Sequence, residues 1–489
     1  MSLVGIDIGT SAVKVAAFNT DGRCLASSRQ QIMAQREGAG QWEVDPSESV
    51  RACQAALAAV GADPHVRRDP PKAVSFSSSG REVFPATADG TPLGPCVMAA
   101  DHRGEDVTER TARLHADEEW FAEAGHVPRR MDPVNRIRWW QEHHPEVTAR
   151  ARWFLNWHEY YALLMTGRAV TDTSSAATWA TFDLGSLAWS DSRLAEVGVD
   201  PAWLPEVQRS GSPIGRITPA AAADFCLPPG TLVVTGAWDV VAAAVGQGAV
   251  REGVLGLTAG TWHSFCLPVA PPWPVELLHD GASVFPHPGP LGFAVGIFDP
   301  NGMGVVDWAL RLFGIPWLRL GPLFAGRTSG PSPVRAVAAL SDLPHRRAPG
   351  GSLAQLRLST TAVDVLQGLL EAISCEFARS VARLAGRGYG IELIRAAGGG
   401  SKLPWFMQLH ADLTGVPVEV VAEDEPGAHG AAMFAGMGTG AYDAADAATA
   451  HRVKTGARFE PSDKRRQQYA ELLEPCGAGA ATSSSWMPQ

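Results

Sequence analysis

Leu3-Val-Gly-Ile-Asp-Ile-Gly-Thr-Ser-Ala-Val-Lys-Val-Ala-Ala-Phe18 opens the chain with two apolar runs joined by a Gly-Thr-Ser turn. Leu3–Ile8 reads as a strand ending at Gly9, and Val13–Phe18 as a second. After the turn chemistry of Asn19-Thr-Asp-Gly22, the alternating stretch Cys24–Met33 reads as a third strand. Asp45-Pro46 then marks a helix start, with Asp as N-cap and Pro at the first helical position. A helix through Val50–Ala59 and a strand at Ala73–Ser77 follow. Strands alternating with helices make this an α/β protein.

Helical periodicity covers Asn135–His143 and, as one further helix, Val147–Met165. From about 266 to 300 the text is rich in Pro and Gly, which predicts loops and short strands; a long helix, Thr360–Leu384, comes next. The small, polar residues 477–489 read as a disordered tail. With 489 residues the chain exceeds the size at which one core keeps growing, so two domains are expected, 1–249 and 250–476. The strand–Gly–Thr turn of 4–10 is echoed at 254–261, as two domains built on one plan would give.

Composition narrows the class. Hydrophobic residues at 45% and charged ones at 19% indicate a globular protein. A net charge of -10, from 41 basic and 51 acidic residues, speaks against nucleic acid or an anionic membrane as main partner. The 7 cysteines are scattered without C-x-x-C spacing, so they predict buried free thiols in a reducing compartment. No basic-then-apolar leader opens the sequence and no apolar run approaches a membrane span, so a cytoplasmic protein is expected. The oligomeric state is not legible; a homodimer is the commonest default.

Four elements carry chemistry. In Ile6-Asp-Ile-Gly-Thr-Ser11, glycine lets the backbone approach an anion, Thr10 and Ser11 offer donors, and Asp7 suits a hydrated Mg2+. Lys14 lies one short turn beyond, in reach of a phosphate. Leu255-Gly-Leu-Thr-Ala-Gly-Thr261 is a second such turn, and Ile394-Arg-Ala-Ala-Gly-Gly-Gly-Ser401 leads a strand through three glycines into a helix at Trp405–Leu413. Each turn alone is equally an ordinary hairpin. The fourth element, Thr235-Gly-Ala-Trp-Asp-Val-Val-Ala-Ala-Ala-Val-Gly246, places Asp239 as the lone charge between a strand and an apolar helix, where it is either an N-cap or a working carboxylate.

In this order the four elements resemble the FGGY carbohydrate kinases over about residues 3–442. Gln41-Trp-Glu-Val-Asp-Pro46 looks like that family's approach to its first long helix. Met131-Asp-Pro-Val-Asn-Arg-Ile-Arg-Trp-Trp-Gln-Glu-His143 is similar to a family signature, with Arg136 for the usual lysine and Trp140 for an aliphatic. Residues 398–412 followed by Glu425-Pro-Gly-Ala-His-Gly-Ala-Ala432 resemble its adenosine segment. The resemblance implies two ribonuclease-H-like domains of the actin/hexokinase ATPase type, with ATP and Mg2+ in an interdomain cleft, the first domain on the substrate side and the second on the nucleotide side.

It also implies roles. Gly9, Thr10, Ser11 and Lys14 match the first phosphate turn, Gly260 and Thr261 the second, and Asp7 and Asp239 the metal positions. Asp239 matches the catalytic base. Gly302 and Gly304 fall in the glycine segment, where Met303 replaces a glycine; Gly399 and Gly400 match nucleotide contacts, and Leu403 replaces a polar residue near the adenine. On the substrate side, Arg81-Glu82 resembles the end of a glycerol kinase motif and suits a clamp on vicinal hydroxyls. Asp101-His-Arg103 matches a substrate-side Asp-x-Arg, while Val240 removes an amide usual after the base. Trp157, Trp179 and Trp238 offer apolar walls for a sugar or serve as core. Together these imply phosphorylation of a small sugar, a pentulose of xylulose type, with a short polyol or tetrose as the alternative. A sugar-sensing, non-catalytic homologue is the rival class; the retained Asp7, Thr10, Thr261 and Asp239 weigh against it.

Overall fold

The computed structural model describes residues 1–35, 38, 40–129, 131–327, 330–340, 350–445, 449 and 452–473. The expected tail, 477–489, lies outside them. The chain forms two compact units. The first comprises Met1–Val250, Val284–Ala294 and Glu425–Val453; the second comprises Arg251–Ser283, Val295–Asp424 and Lys454–Gln489. Residues 284–294 and 425–453 thus pack with the first unit although they follow the 249/250 boundary in sequence.

In the first unit, β1 (Ser2–Ile8), β2 (Ala12–Asn19) and β3 (Cys24–Gln31) form an antiparallel meander. β1 also pairs in parallel with β4 (Pro71–Ser78), β4 in parallel with β6 (Leu232–Trp238), and β5 (Pro213–Arg216) closes the edge antiparallel to β6. The sheet order is β5-β6-β4-β1-β2-β3. Every apolar side chain of β1 is buried because both faces of the sheet are covered. Val4, Ile6 and Ile8 point into a core shared with Cys53, Ala56, Leu57 and Val60 of α1 (Pro46–Gly61). The period of two puts Gly5 and Asp7 on the other face.

Three further helices position the site. α2 (Pro133–His143) and α3 (Trp157–Thr166) follow the meander, and α4 (Asp239–Gly246) leaves β6 directly. The single helix expected over Val147–Met165 is broken in the structure. Trp153–Leu155 pairs antiparallel with Phe84–Ala86, and Asn156 starts α3 through a reciprocal cap with Glu159, which ends any continuous helix there.

The second unit repeats the plan. β7 (Val254–Ala259) and β8 (His263–Val269) form a hairpin, β9 (Phe293–Asp299) lies beside β8, and β7 pairs in parallel with β10 (Leu393–Ala397). β10 pairs in parallel with β11 (Val418–Val421), and β12 (Thr455–Phe459) is antiparallel at the edge. α5 (Met303–Leu312), α6 (Ala362–Gly386) and α7 (Pro404–Thr414) belong to this unit. The chain then returns to the first unit as α8 (Pro426–Gly438), whose small residues lie directly on β1. Among the described residues no helix is long and apolar enough to cross a membrane.

Candidate active site

Asp7 stands at the carboxyl end of β1, cross-strand from Lys14 and level with Ser77 on β4. Its Oδ1 accepts the Ser77 hydroxyl at 2.7 Å and its Oδ2 lies 3.4 Å from the Lys14 ammonium. Lys14 also pairs with Glu425 at 2.7 Å. Burial works against that ammonium, but the two carboxylates hold it above its ordinary pKa. Lys14, expected as a phosphate contact, is thus tethered within the first unit by two acids. Gly9 donates its N–H to Ala12 O at 3.0 Å, closing the turn and leaving Thr10 and Ser11 exposed at its tip.

Asp239 is the first residue of α4, and Trp238 occupies the N-cap position. Among the described residues Asp239 Oδ1 accepts only the N–H of Val240, at 2.8 Å, so the N-cap reading of this residue does not hold. Its carboxyl is pushed up to about 8, first by removal from water and then by the Asp7 and Glu82 carboxylates, with Lys14 countering weakly. Glu82 is fully buried, its pKa raised by desolvation; Oε2 accepts the Arg81 N–H at 3.2 Å and Oε1 lacks a well-formed hydrogen bond.

A carboxyl with a raised folded-state pKa binds more protons folded than unfolded, so stability falls as pH rises from about 4 to about 8 and the full cost persists above that. We therefore expect metal-free Asp239→Asn to unfold close to wild type at acid pH. Above pH 8 it should be more stable by on the order of 2 kcal/mol, discounting for solvent access, or roughly 2–4 °C in Tm. Melting both proteins across this pH range checks it; a constant difference would contradict the electrostatic account.

The Arg81 guanidinium pairs with Asp132, which precedes α2, and lies 6.0 Å from the Trp238 ring. Asp132 Oδ2 also accepts the Arg129 N–H at 2.7 Å and is 3.5 Å from His126 Nε2. Sequence reasoning missed His126, Arg129 and Asp132. An Asp directly before Pro133 reads as an N-cap, yet it makes no capping bond. The Asp101–Arg103 pair is braced differently. Arg103 forks onto Asp101, at 2.6 Å through one terminal nitrogen and 2.8 Å through Nε, pairs with Glu43, and stacks over Trp139. Asp101 takes the Trp42 N–H at 2.7 Å as well. The donors expected for substrate are here occupied by neighbouring acids. Trp157 and Trp179 are core, while Trp238 borders Arg81 and packs edge-on to Phe285.

In the second unit the turn between β7 and β8 is closed by Gly260 N–H to Trp262 O, at 3.0 Å. The N–H groups at the start of α5 return to it: Met303 to Gly260 O at 2.8 Å and Gly304 to Thr261 O at 3.2 Å. A Cβ on Gly302 would sit 2.7 Å from Thr261 O, and one on Gly400 would sit 3.0 Å from Met303 Sδ and 3.1 Å from Ala259 Cβ. Gly260, Thr261, Gly302, Gly304 and Gly400 are therefore one cluster of backbone, whereas Gly399 is exposed beside Trp317. Met303, in place of a glycine, is the side chain that fills the space against Gly400. Leu403 is buried at the N-cap of α7, where it offers no polar side-chain group.

Two family models match this arrangement: the N-terminal domain of the FGGY family of carbohydrate kinases over residues 2–246 and its C-terminal domain over residues 322–439. The chain belongs to the FGGY family of carbohydrate kinases. It is 25% identical over 476 residues to a probable L-xylulose kinase of Pasteurella multocida, covering 96% of this chain and 98% of that one. It is 26% identical over 462 residues to the L-xylulose/3-keto-L-gulonate kinase of Escherichia coli, covering 90% and 88%. The crystal structure of xylulose kinase from Rhodospirillum rubrum superposes with a TM-score of 0.85 at 23% identity, over 97% of each chain, and gives the fold: the actin/hexokinase-like ATPase fold.

FGGY kinases use ATP, and the donors fit it and a hydrated dication. Among the described residues no group of three or more His, Cys, Asp or Glu is arranged to hold a metal ion. The protein supplies two carboxylates, Asp7 and Asp239, whose mutual repulsion a dication relieves. That suits Mg2+, which keeps several waters and takes phosphate oxygens alongside one or two carboxylates.

Proposed function

We propose that this FGGY kinase transfers the γ-phosphoryl group of Mg-ATP to a hydroxyl of a small ketose, with xylulose as the reference acceptor and Asp239 as the general base. One observation carries the reading: Asp239 is a desolvated carboxylate with Val240 N–H as its one hydrogen-bond partner among the described residues, facing the charge of Asp7 and Glu82. A base near neutral pKa takes a proton from an attacking hydroxyl efficiently. Bound Mg-ATP supplies the phosphoryl group and the cation that neutralises it.

The chain's own groups do the rest. Asp7, kept in place by Ser77 and Lys14, would hold the cation with Asp239. The Gly9–Thr10 turn, and in the second unit the Gly260–Thr261 turn, offer backbone and hydroxyl donors to phosphate oxygens. The Oε1 of buried Glu82, which lacks a well-formed hydrogen bond although Ser79 acts on the carboxyl, would accept an acceptor hydroxyl, and Trp238 would wall the sugar. Orienting both reactants can contribute about 7–11 kcal/mol, more than the base alone.

The relatives' names support a ketose, and the name of the Escherichia coli relative adds a sugar acid. ADP release with Mg-ATP across D- and L-xylulose, ribulose, erythrulose, erythritol, glycerol and gluconate tests the assignment. One ketose or ketose acid should be preferred at least tenfold over glycerol and erythritol. ATP binding without turnover of any acceptor would favour a sensor.

A further inference from the structure

Asp239 follows directly on the last residues of β6, where the sheet stops supplying hydrogen-bond partners on one side. β5 pairs with β6 only as far as Val234. The loop before β5 carries the pairing one residue further, through Gly211 N–H to Thr235 O at 3.0 Å and Thr235 N–H to Ser212 O at 2.9 Å. Gly236 and Trp238 lie buried beyond that point, and a buried amide N–H needs an acceptor. Side chains supply both. Gly236 donates to His158 Nε2 at 3.3 Å, and Trp238 donates to Ser174 Oγ at 3.0 Å. On its other side β6 is pressed against β4: a Cβ on Gly236 would overlap Phe76 O, so the strand has no room to shift that way.

Both acceptors run back to one carboxylate. Asp172, at the end of the short strand Val170–Asp172, is fully buried; its Oδ2 lies 3.1 Å from His158 Nδ1, and its Oδ1 accepts the Ser174 hydroxyl. An amide N–H only donates, so His158 Nε2 accepts from Gly236, and the ring proton sits on Nδ1 and is donated to Asp172. Ser174 likewise gives its proton to Asp172 and turns a lone pair to the Trp238 N–H. Asp172 therefore sets the direction of both bonds. Capping of the short helix Thr173–Ala177 accounts for only part of this carboxylate. The Ser174 and Ser175 N–H groups, at 2.7 and 3.1 Å, are its cap bonds; His158 and the Ser174 hydroxyl are additional. Burial works against the charge, but His158 and the two serines hold the carboxyl below its usual range.

Resting on the reading of Asp239 as general base, we infer that Asp172, His158 and Ser174 are positioning residues for that base. They hold the Gly236 and Trp238 amides and so fix where α4 begins. Asp239 is one peptide bond beyond Trp238, at the change from extended to helical backbone. The three act through the backbone of β6, and Asp239 is the group that meets the acceptor. All of them belong to the first unit. A misplacement of about 1 Å at a reacting group can cost on the order of 10² in rate, so two orienting bonds this close to the base bear on turnover.

The test measures ADP release from Mg-ATP with xylulose, the reference acceptor above, in wild type, Ser174→Ala, Asp172→Asn, His158→Leu and His158→Gln, each also combined with Asp239→Asn. Tm and the KM for ATP are measured alongside. Ser174→Ala and Asp172→Asn should lower kcat about tenfold to a hundredfold, with the KM for ATP within a few-fold of wild type. In Asp172→Asn the amide donor facing His158 Nδ1 drives the ring proton to Nε2, where it opposes the Gly236 N–H. Gln can donate to Asp172 and accept from Gly236, so His158→Gln should keep more of the rate than His158→Leu. In the Asp239→Asn background the same changes should cost less than about twofold, because groups that act through one another are not additive. Wild-type kcat in Ser174→Ala, an undiminished loss in the Asp239→Asn background, or a loss that merely follows the unfolded fraction would overturn the proposal. Nitrogen-15 shifts of His158 give a readout that needs no turnover: a proton on Nδ1 in wild type and on Nε2 in Asp172→Asn. A wild-type ring protonated on Nε2 would also overturn it. Near-normal turnover in Asp239→Asn, with both His158 tautomers as expected, would remove the base and keep the network's geometry. An inactive Asp239→Asn with Ser174→Ala at full rate would do the reverse.

Discussion

Asp239→Asn should lower acceptor phosphorylation by about 10²–10⁴-fold, the usual contribution of a positioned general base, while leaving ATP affinity within a few-fold of wild type. Asn keeps the shape at the start of α4 and can still accept from the Val240 N–H, so the helix should not shift. What is removed is the ability to accept a proton and the negative charge that Asp7 and Glu82 oppose. The wild-type pH profile gives an independent check. kcat/KM for the acceptor should rise with pH up to an apparent pKa at or below about 8, because a bound cation adds to the lowering effect of Lys14. In Asp239→Asn that limb should disappear. Near-normal turnover in the variant, or the same acid limb in both proteins, would remove Asp239 from the proton transfer.

The parts legible in the sequence are those whose chemistry is local. A strand that ends in Asp-x-Gly-Thr declares itself within a few residues, because the apolar run marks the strand and the small polar residues after it mark the turn. The Gly9 and Gly260 turns, the β6–α4 junction at Asp239 and the α/β texture are all of this kind. The break in the helix expected at Val147–Met165 was also local: Asn156 and Glu159 have capping-box spacing, but the apolar periodicity on both sides hides it. Long-range features were not legible. Arg81 and Asp132 stand 51 residues apart, so a clamp read from Arg81-Glu82 alone could not anticipate that the arginine answers Asp132 and leaves Glu82 Oε1 open. Arg103 likewise closes on Asp101 and on Glu43, 60 residues earlier. The return of residues 425–453 to the first unit depends on how tightly α8 meets β1, which no spacing rule encodes.

That tight meeting makes a second large effect predictable. Gly5→Ala and Gly430→Ala should each destabilise the protein by about 3 kcal/mol, toward the upper end of overpacking costs. Gly5 lies at the middle of β1 against the backbone of α8; a Cβ there would overlap Ala428 O and approach Ala432 N to 2.8 Å. Gly430, on α8, faces α4: its Cβ would overlap Ala242 O and sit 2.8 Å from the Ala242 carbonyl carbon. In both places the obstacle is backbone, which cannot rotate aside as a side chain would, so strand and helix must separate. Moving α8 also draws Glu425 from Lys14, and Gly427, whose Cβ would lie 2.9 Å from Asp7 Oδ1, from the Asp7 carboxylate. Loss of stability and loss of activity should therefore appear together. Gly386→Ala is the control, since nothing lies within 4 Å of a Cβ at this helix end and alanine favours a helix. Denaturant midpoints and Tm should fall sharply for the first two variants and hold or rise slightly for the third. Equal stability of all three would mean that α8 does not approach β1 and α4 at backbone contact, and the placement of Glu425 beside Lys14 would fall with it.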